Sequence, residues 1–171
     1  MSEISIRPES LADYQPIRDV NRLAFESVIE ADLIDALRDG GFVEVSLVAE
    51  TDATIVGHVL FSRASLVTDT ETLPVVSLAP MAVLPSHQRQ GIGSRLVETG
   101  LQYCQELGHR IVVVLGHPEF YSKFGFSADL ANSIASPFGG GDAWMALELV
   151  PGALTDVAGR IEYPPPFDAF A

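Results

Sequence analysis

The chain has 171 residues, 23 of them acidic and 10 basic, for a formal net charge of −13, and 47% are hydrophobic. This length and apolar content suit one folded domain with a real core and exclude a disordered chain. A surface this acidic, with Lys123 as its one lysine, excludes nucleic acid and anionic membrane as partners, because a phosphate backbone is held by clustered cations.

The same charge serves solubility or draws in a cationic substrate, and the total does not choose between the two. No apolar run approaches the ~20 residues that span a bilayer. The opening MSEISIRPES has no apolar segment of the kind a secretion signal carries, so a soluble cytoplasmic protein is expected. Cys104 is the single cysteine, which rules out an intrachain disulfide and a cysteine-rich metal site; no metal is expected.

Residues 3–7 alternate as a short strand that ends at Pro8. Ser10 then N-caps a helix, with Asp13 three positions on as in a capping box. A second helix is expected over 29–39, where Leu33 and Leu37 share a face and Gly40-Gly41 stops it. Two β-branched stretches, 43–50 and 54–61, flank Thr51-Asp52-Ala53 and read as a hairpin. A further strand is expected over 75–84. The clearest helix covers 91–107, with Ile92, Leu96, Leu101, Cys104 and Leu107 on its apolar face. Residues 111–115 are continuously apolar and suit a strand buried on both faces. A short helix over 118–123, a loop-rich stretch over 127–142 and a late strand over 144–150 complete the pattern. The proline-rich 151–171 is the least legible part and is expected to pack as an extension on the domain formed by 1–150. Alternating strands and helices indicate a single mixed α/β (α+β) domain.

The informative unit is the strand over 75–84, a loop, and a helix opening Gly91-Ile92-Gly93-Ser94. The first N–H groups of a helix lack intrahelical partners, and the helix dipole adds partial positive charge at that end. A phosphate group is stabilised there by both effects. Gly91 and Gly93 let the backbone approach an anion closely, and Arg89 and Arg95 add local positive charge. A P-loop would need Gly-Lys-Ser/Thr, where this chain has Gly93-Ser94-Arg95. A dinucleotide fingerprint would need a third glycine at 96, which is leucine.

Gln88-Arg89-Gln90-Gly91-Ile92-Gly93 resembles the Gln/Arg-x-x-Gly-x-Gly/Ala signature of the GNAT superfamily of N-acetyltransferases. Residues 78–85 resemble that family's fourth strand, and Phe120-Tyr121-Ser122-Lys123-Phe124-Gly125-Phe126 its late aromatic element. The resemblance implies a central, mostly antiparallel mixed sheet with helices on both faces, splayed between the fourth and fifth strands. It implies acetyl-coenzyme A as co-substrate, the pyrophosphate on Gln88, Arg89, Gln90, Gly91, Ile92, Gly93 and Ser94, and the pantetheine arm along Met81, Ala82 and Val83. Pro80 adds a hint of its own: it cannot donate a ladder hydrogen bond, so it marks either a bulge or an ordinary strand entrance.

The implied chemistry is direct attack of an amine on the thioester in a ternary complex. A backbone N–H near Val83 would stabilise the oxyanion, and Tyr121 would contact the cofactor and act as the acid for the departing thiolate. The alternative to that catalytic role, which the motif favours, is packing of Tyr121 in an aromatic cluster with Phe120 and Phe124. Glu119, His117, His58 and Glu26 are candidates for the base, with Glu119 preferred beside Tyr121. Residues 75–78 read Val-Val-Ser-Leu where several relatives carry a glutamate, which speaks against a strand-borne base. Cys104 lies on a buried helix face, where a thiol is inert. The expected function is thus N-acetylation of a small-molecule or peptide amine. A non-catalytic acetyl-coenzyme A sensor is the alternative, and a longer acyl donor or a hydroxyl acceptor is a third reading. The sequence is compatible with a homodimer.

Overall fold

The computed structural model describes residues 3–171. Its strands are β1 (Ser5–Pro8), β2 (Val43–Thr51), β3 (Thr54–Val67), β4 (Thr72–Val83), β5 (Ile111–Leu115), β6 (Ile134–Ala135), β7 (Trp144–Glu148) and β8 (Gly159–Glu162). They form one sheet in the order β1-β2-β3-β4-β5-β7, with β8 added to β3 and β6 added to β8. Among the described residues only β4–β5 and β6–β8 are parallel pairs. The expected mixed, mostly antiparallel sheet is therefore present. Among the described residues no helix is long and apolar enough to cross a membrane.

Strand alternation decides which helix packs where. Val48, Leu60 and Ala82 face α1 (Tyr14–Phe25) and α2 (Ile29–Asp39), forming a core with Ile17, Leu33 and Leu37. Their neighbours Leu47, Val59, Phe61 and Val83 face the other way, onto α3 (Ile92–Glu106) through Ile92, Leu96 and Cys104. Burying a Leu or Ile side chain contributes about 1.5–3 kcal/mol, so these two cores clamp the sheet from both faces. On α3 the close approach to the sheet occurs at Gly100, where any Cβ would overlap the Phe61 ring.

The Ser10–Asp13 capping box forms as the residue types dictate: Asp13 Oδ2 accepts from the Ser10 N–H at 2.7 Å. The first turn, Leu11–Asp13, is a 3-10 turn, and α1 begins at Tyr14. The hairpin is longer than the 54–61 expected for its second strand, because residues beyond 61 find partners on both sides. Ser62 through Val67 pair with β4, and Ser65 to Val67 also pair with β8. The partner on that side comes from the C-terminal segment, whose local sequence carries little strand signal. That segment ends in a 3-10 helix, Pro165–Phe170, packed against α2.

Two features open the sheet. Met81 pairs with Val59 but Leu78 pairs with Phe61, so Ala79 and Pro80 together oppose the single residue Leu60. This is a β-bulge on β4, the first of the two alternatives Pro80 allows. The parallel ladder between β4 and β5 covers only Val76–Val112 and Ser77–Val113. Past Ser77 the two strands diverge.

Candidate active site

The divergence of β4 and β5 leaves a cleft of about 970 Å³. Ser77 to Met81 form one wall, and Leu115, Gly116 and His117 form the other. Ladder hydrogen bonds in an antiparallel pair alternate in direction along each strand. The Leu84 N–H donates to the Val56 carbonyl at 2.8 Å, so Leu84 and Ala82 turn their main-chain groups toward β3. Met81 and Val83 turn theirs to the opposite edge, where β5 has departed. The Val83 carbonyl there accepts from Gln88 Nε2 at 3.0 Å. The main-chain groups of Met81 and the N–H of Val83 are thus directed to the edge that an extended polar chain can pair with.

The glycine loop follows directly. Arg89 takes φ 63° and Gly91 takes φ 82°, both left-handed, and Gly91 is the N-cap of α3. The first N–H groups of α3, which begins after Gly91, have no intrahelical partners. A Cβ on Gly91 would point into open space, whereas one on Gly93 would stand 3.3 Å from Met81 Cε and 3.5 Å from Phe120 Cζ. Gly93 therefore lets the helix start sit close to the cleft wall. Gln88 and Arg89 line the cleft. Gln88 also braces the loop on β4 through its bond to Val83.

Tyr121, the last residue of the short α4 (Pro118–Tyr121), lines the cleft while only 8% exposed. Its ring meets Phe120 edge-on at 4.9 Å and Phe126 at 5.7 Å, so it has both roles, a member of an aromatic cluster and a wall of the cleft. Burial pushes its phenol up to about 12, so it carries its proton at neutral pH.

The four candidate bases are dispersed. His117 is exposed and lines the cleft. Glu119 is exposed on α4 and lies outside the cleft lining. Glu26, with a left-handed φ of 53°, lines a separate shallow depression with Arg22 and Ser27. His58 is fully buried beneath α1: Ser46 Oγ lies 2.9 Å from its Nε2 and Asn21 Nδ2 3.3 Å from its Nδ1. Desolvation, assisted by the nearby Arg38 cation, holds it down to about 3, so it is neutral. Its network continues from Ser46 to Glu9 and on to Arg38, whose guanidinium donates to Glu9 at 2.9 Å. His58 thus ties β2, β3 and α1 together. Cys104 is buried and its thiol is pushed up to about 12 by desolvation, the inert state expected for it.

Two sets of site residues escaped sequence reasoning. Lys123 Nζ stands 3.4 Å from Ser94 Oγ and 4.7 Å from the Phe120 ring centre, which brings a third cation beside the glycine loop with Arg89 and Arg95. Its four-residue spacing after Glu119 carried no such signal. The second set closes the cleft on its α2 side: Phe25 and Glu30 from the α1–α2 corner, Phe138, and Tyr163, Phe167 and Phe170 from the C-terminal segment. Nothing local marks these residues, because they meet only when the tail folds back over β3.

Comparison with known proteins agrees with this geometry. The family model described as "Acetyltransferase (GNAT) family" matches residues 11–126. The uncharacterized N-acetyltransferase YhbS of Escherichia coli K12 is 36% identical over 167 residues, covering 96% of this chain and 99% of that protein. The uncharacterized N-acetyltransferase YjhQ of the same organism is 37% identical over 117 residues, 67% of this chain and 65% of that protein. The crystal structure of Escherichia coli YhbS in complex with CoA superimposes with a TM-score of 0.91 at 35% identity, covering all of this chain and 95% of that one. A GNAT family acetyltransferase from Brucella melitensis in complex with acetyl-CoA gives a TM-score of 0.81 at 30% identity, covering 97% and 99%.

Proposed function

The chain belongs to the GNAT family of acetyltransferases, and from that premise we propose that it transfers an acetyl group from acetyl-coenzyme A to a primary amine by direct attack in a ternary complex. The observation that carries this reading is the single cleft that runs from the glycine loop, past the free edge of β4, to Tyr121. The residues fit the co-substrate. Gln88, Arg89, Gln90 and the N–H groups at Gly91, Ile92, Gly93 and Ser94 suit an anion cradle, and the unpaired edge at Met81 and Val83, on either side of Ala82, suits an amide-bearing arm. Acetyl-coenzyme A supplies an acetyl group already activated as a thioester.

The chain's own contribution is positioning and charge stabilisation. The Val83 N–H is directed to the cleft edge, where charge develops on the acetyl oxygen, and a fixed donor in a dry site stabilises that charge. Tyr121 offers its proton to the departing sulfur. A phenol near 12 is a weak acid beside a thiol in water. The burial that raises Tyr121 also raises the basicity of a thiolate beside it, so the donated hydrogen bond keeps its value. Of the four candidate bases His117 alone lines the cleft, and it takes the acceptor's proton, directly or through water. Glu119, exposed two residues before Tyr121, is left to the surface.

The test is free-thiol release from acetyl-coenzyme A across a panel of amines. Amine-dependent release is expected. Tight coenzyme A binding with no release for any amine would overturn the transferase reading and favour a sensor.

A further inference from the structure

The corner between α1 and α2 keeps a residue that its local chemistry disfavours. Glu26 ends α1 at φ 53° and ψ 39°, in the left-handed region. Glycine is the residue that takes this conformation without a steric cost. A carboxylate at a helix C-terminus also meets the negative end of the helix dipole. No contact offsets either cost: Glu26 is exposed and makes no hydrogen bond or ion pair among the described residues. Arg22, one turn earlier on α1, stands 4.0 Å from Asp19 instead.

The surface around Glu26 is apolar. Leu23, Phe25, Val28 and Ile29 are each 40–49% exposed. Nine large apolar side chains are exposed among the described residues, and these four fall within seven positions. Leu115 and Phe170 are two of the others, and both line the cleft. Exposed apolar surface is thus gathered at the cleft and its α1–α2 rim, the distribution of an interaction site rather than of scattered surface residues. Phe25 and Glu30 wall the cleft, and between them Glu26, Ser27 and Val28 wall a depression of about 420 Å³. One corner therefore borders both hollows.

On the transferase reading, we propose that this corner docks a basic polypeptide. Its free amine enters the cleft as the acceptor, a Lys or Arg among its next residues pairs with Glu26, and an apolar neighbour covers Leu23 and Val28. Charge complementarity selects this partner. The carboxylate within the patch is unpaired and the whole chain carries −13, so a cationic segment is drawn in and an acidic one repelled. The same charge disfavours a second copy of this chain. A small amine would be contained by the cleft and leave the corner bare. A polyamine would pair with Glu26 and leave Leu23 and Val28 in water. An extended peptide presents side chains two residues apart on one face, so a cation and an apolar group reach the patch together.

Thiol release from acetyl-coenzyme A tests this with three acceptors: the hexapeptide amide Ala-Ser-Leu-Ser-Arg-Ser, its analogue with Glu in place of Arg, and alaninamide. The basic peptide is expected to exceed both others about tenfold in kcat/KM. Glu26→Gln should cut that advantage to about threefold or less through KM, with coenzyme A affinity as in the wild type. Glu26→Gly should do the same while raising the urea midpoint, because glycine relieves the left-handed strain. A lower midpoint for Glu26→Gly would make Glu26 a structural residue and overturn the proposal. So would an equal loss for all three acceptors, which would make it a proton acceptor, or an unchanged advantage in Glu26→Gln. A dimer in sedimentation that Val28→Asp dissolves would give the corner to a second copy and overturn it as well. If no acceptor releases thiol, the transferase reading falls, and calorimetry of the two peptides on wild type and Glu26→Gln still decides the docking surface.

Discussion

The ring of Tyr121 occupies the space that a side chain at Gly116 would need: a Cβ there would stand 2.9 Å from the ring Cδ2 and 3.5 Å from Cζ. Gly116 follows the last residue of β5, at the point where that strand has left β4. The absence of a side chain at 116 is therefore what lets Tyr121 settle onto the cleft wall.

Gly116→Ala should displace the Tyr121 ring and lower kcat about tenfold or more, with coenzyme A affinity little changed. Tyr121→Phe should lower kcat by about 10²–10⁴, the usual span for loss of a general acid. Because both changes act on one group, the double variant should be no slower than Tyr121→Phe alone. Steady-state kinetics of thiol release checks all three. A wild-type rate for Tyr121→Phe would remove Tyr121 from the chemistry.

Gly91→Val should weaken coenzyme A binding at least tenfold in calorimetry. Position 91 holds φ 82°, a conformation that costs an L-residue about 1–2 kcal/mol and a β-branched one more, and its Cβ would stand in open space at the start of α3. A purely structural glycine would show the change in thermal stability and leave the affinity of the folded protein intact.

Acid should destabilise the fold through His58. Its folded value lies near 3 against an unfolded 6.5, so the unfolded chain binds a proton that the native state refuses. The contribution is fully present above about pH 6.5 and is lost as pH falls toward 3, by roughly 3–5 kcal/mol. Urea unfolding between pH 7 and 4 measures it. His58→Gln should flatten that slope, at a cost of about 1–3 kcal/mol at pH 7 from the disturbed Ser46 and Asn21 contacts.

Gly100→Ala sets two effects against each other. Helix propensity favours alanine by about 1 kcal/mol. Overpacking against Phe61, with Cζ 2.7 Å from the new Cβ, costs about 1–3 kcal/mol. Net destabilisation is expected in denaturant unfolding, and Phe61→Leu in the same chain should recover part of it. Independent, additive effects would show that the two residues do not touch.

The sequence by itself determined the parts whose physics is local. The capping box at Ser10, the helix over Ile92–Glu106, the apolar strand Ile111–Leu115 and the left-handed Gly91 that starts that helix each follow from periodicity, end chemistry or backbone freedom within a short window. The resemblance to the GNAT family rested on three such windows, and the matched family and the fold agree with it.

What only the tertiary structure decided depends on residues far apart in the chain. Alternation placed His58 inside or outside with equal ease, and the arrival of Asn21 and Ser46 sealed it inside as a neutral structural group. The extent of β3 depended on β8, a strand from the segment least legible in sequence. Phe138, Tyr163 and Phe167 meet because that segment returns across the sheet to pack on α2, a long-range closure that leaves no short-range pattern. The glycine-loop end of the cleft was thus legible in the sequence, and the aromatic end was written in the tertiary contacts.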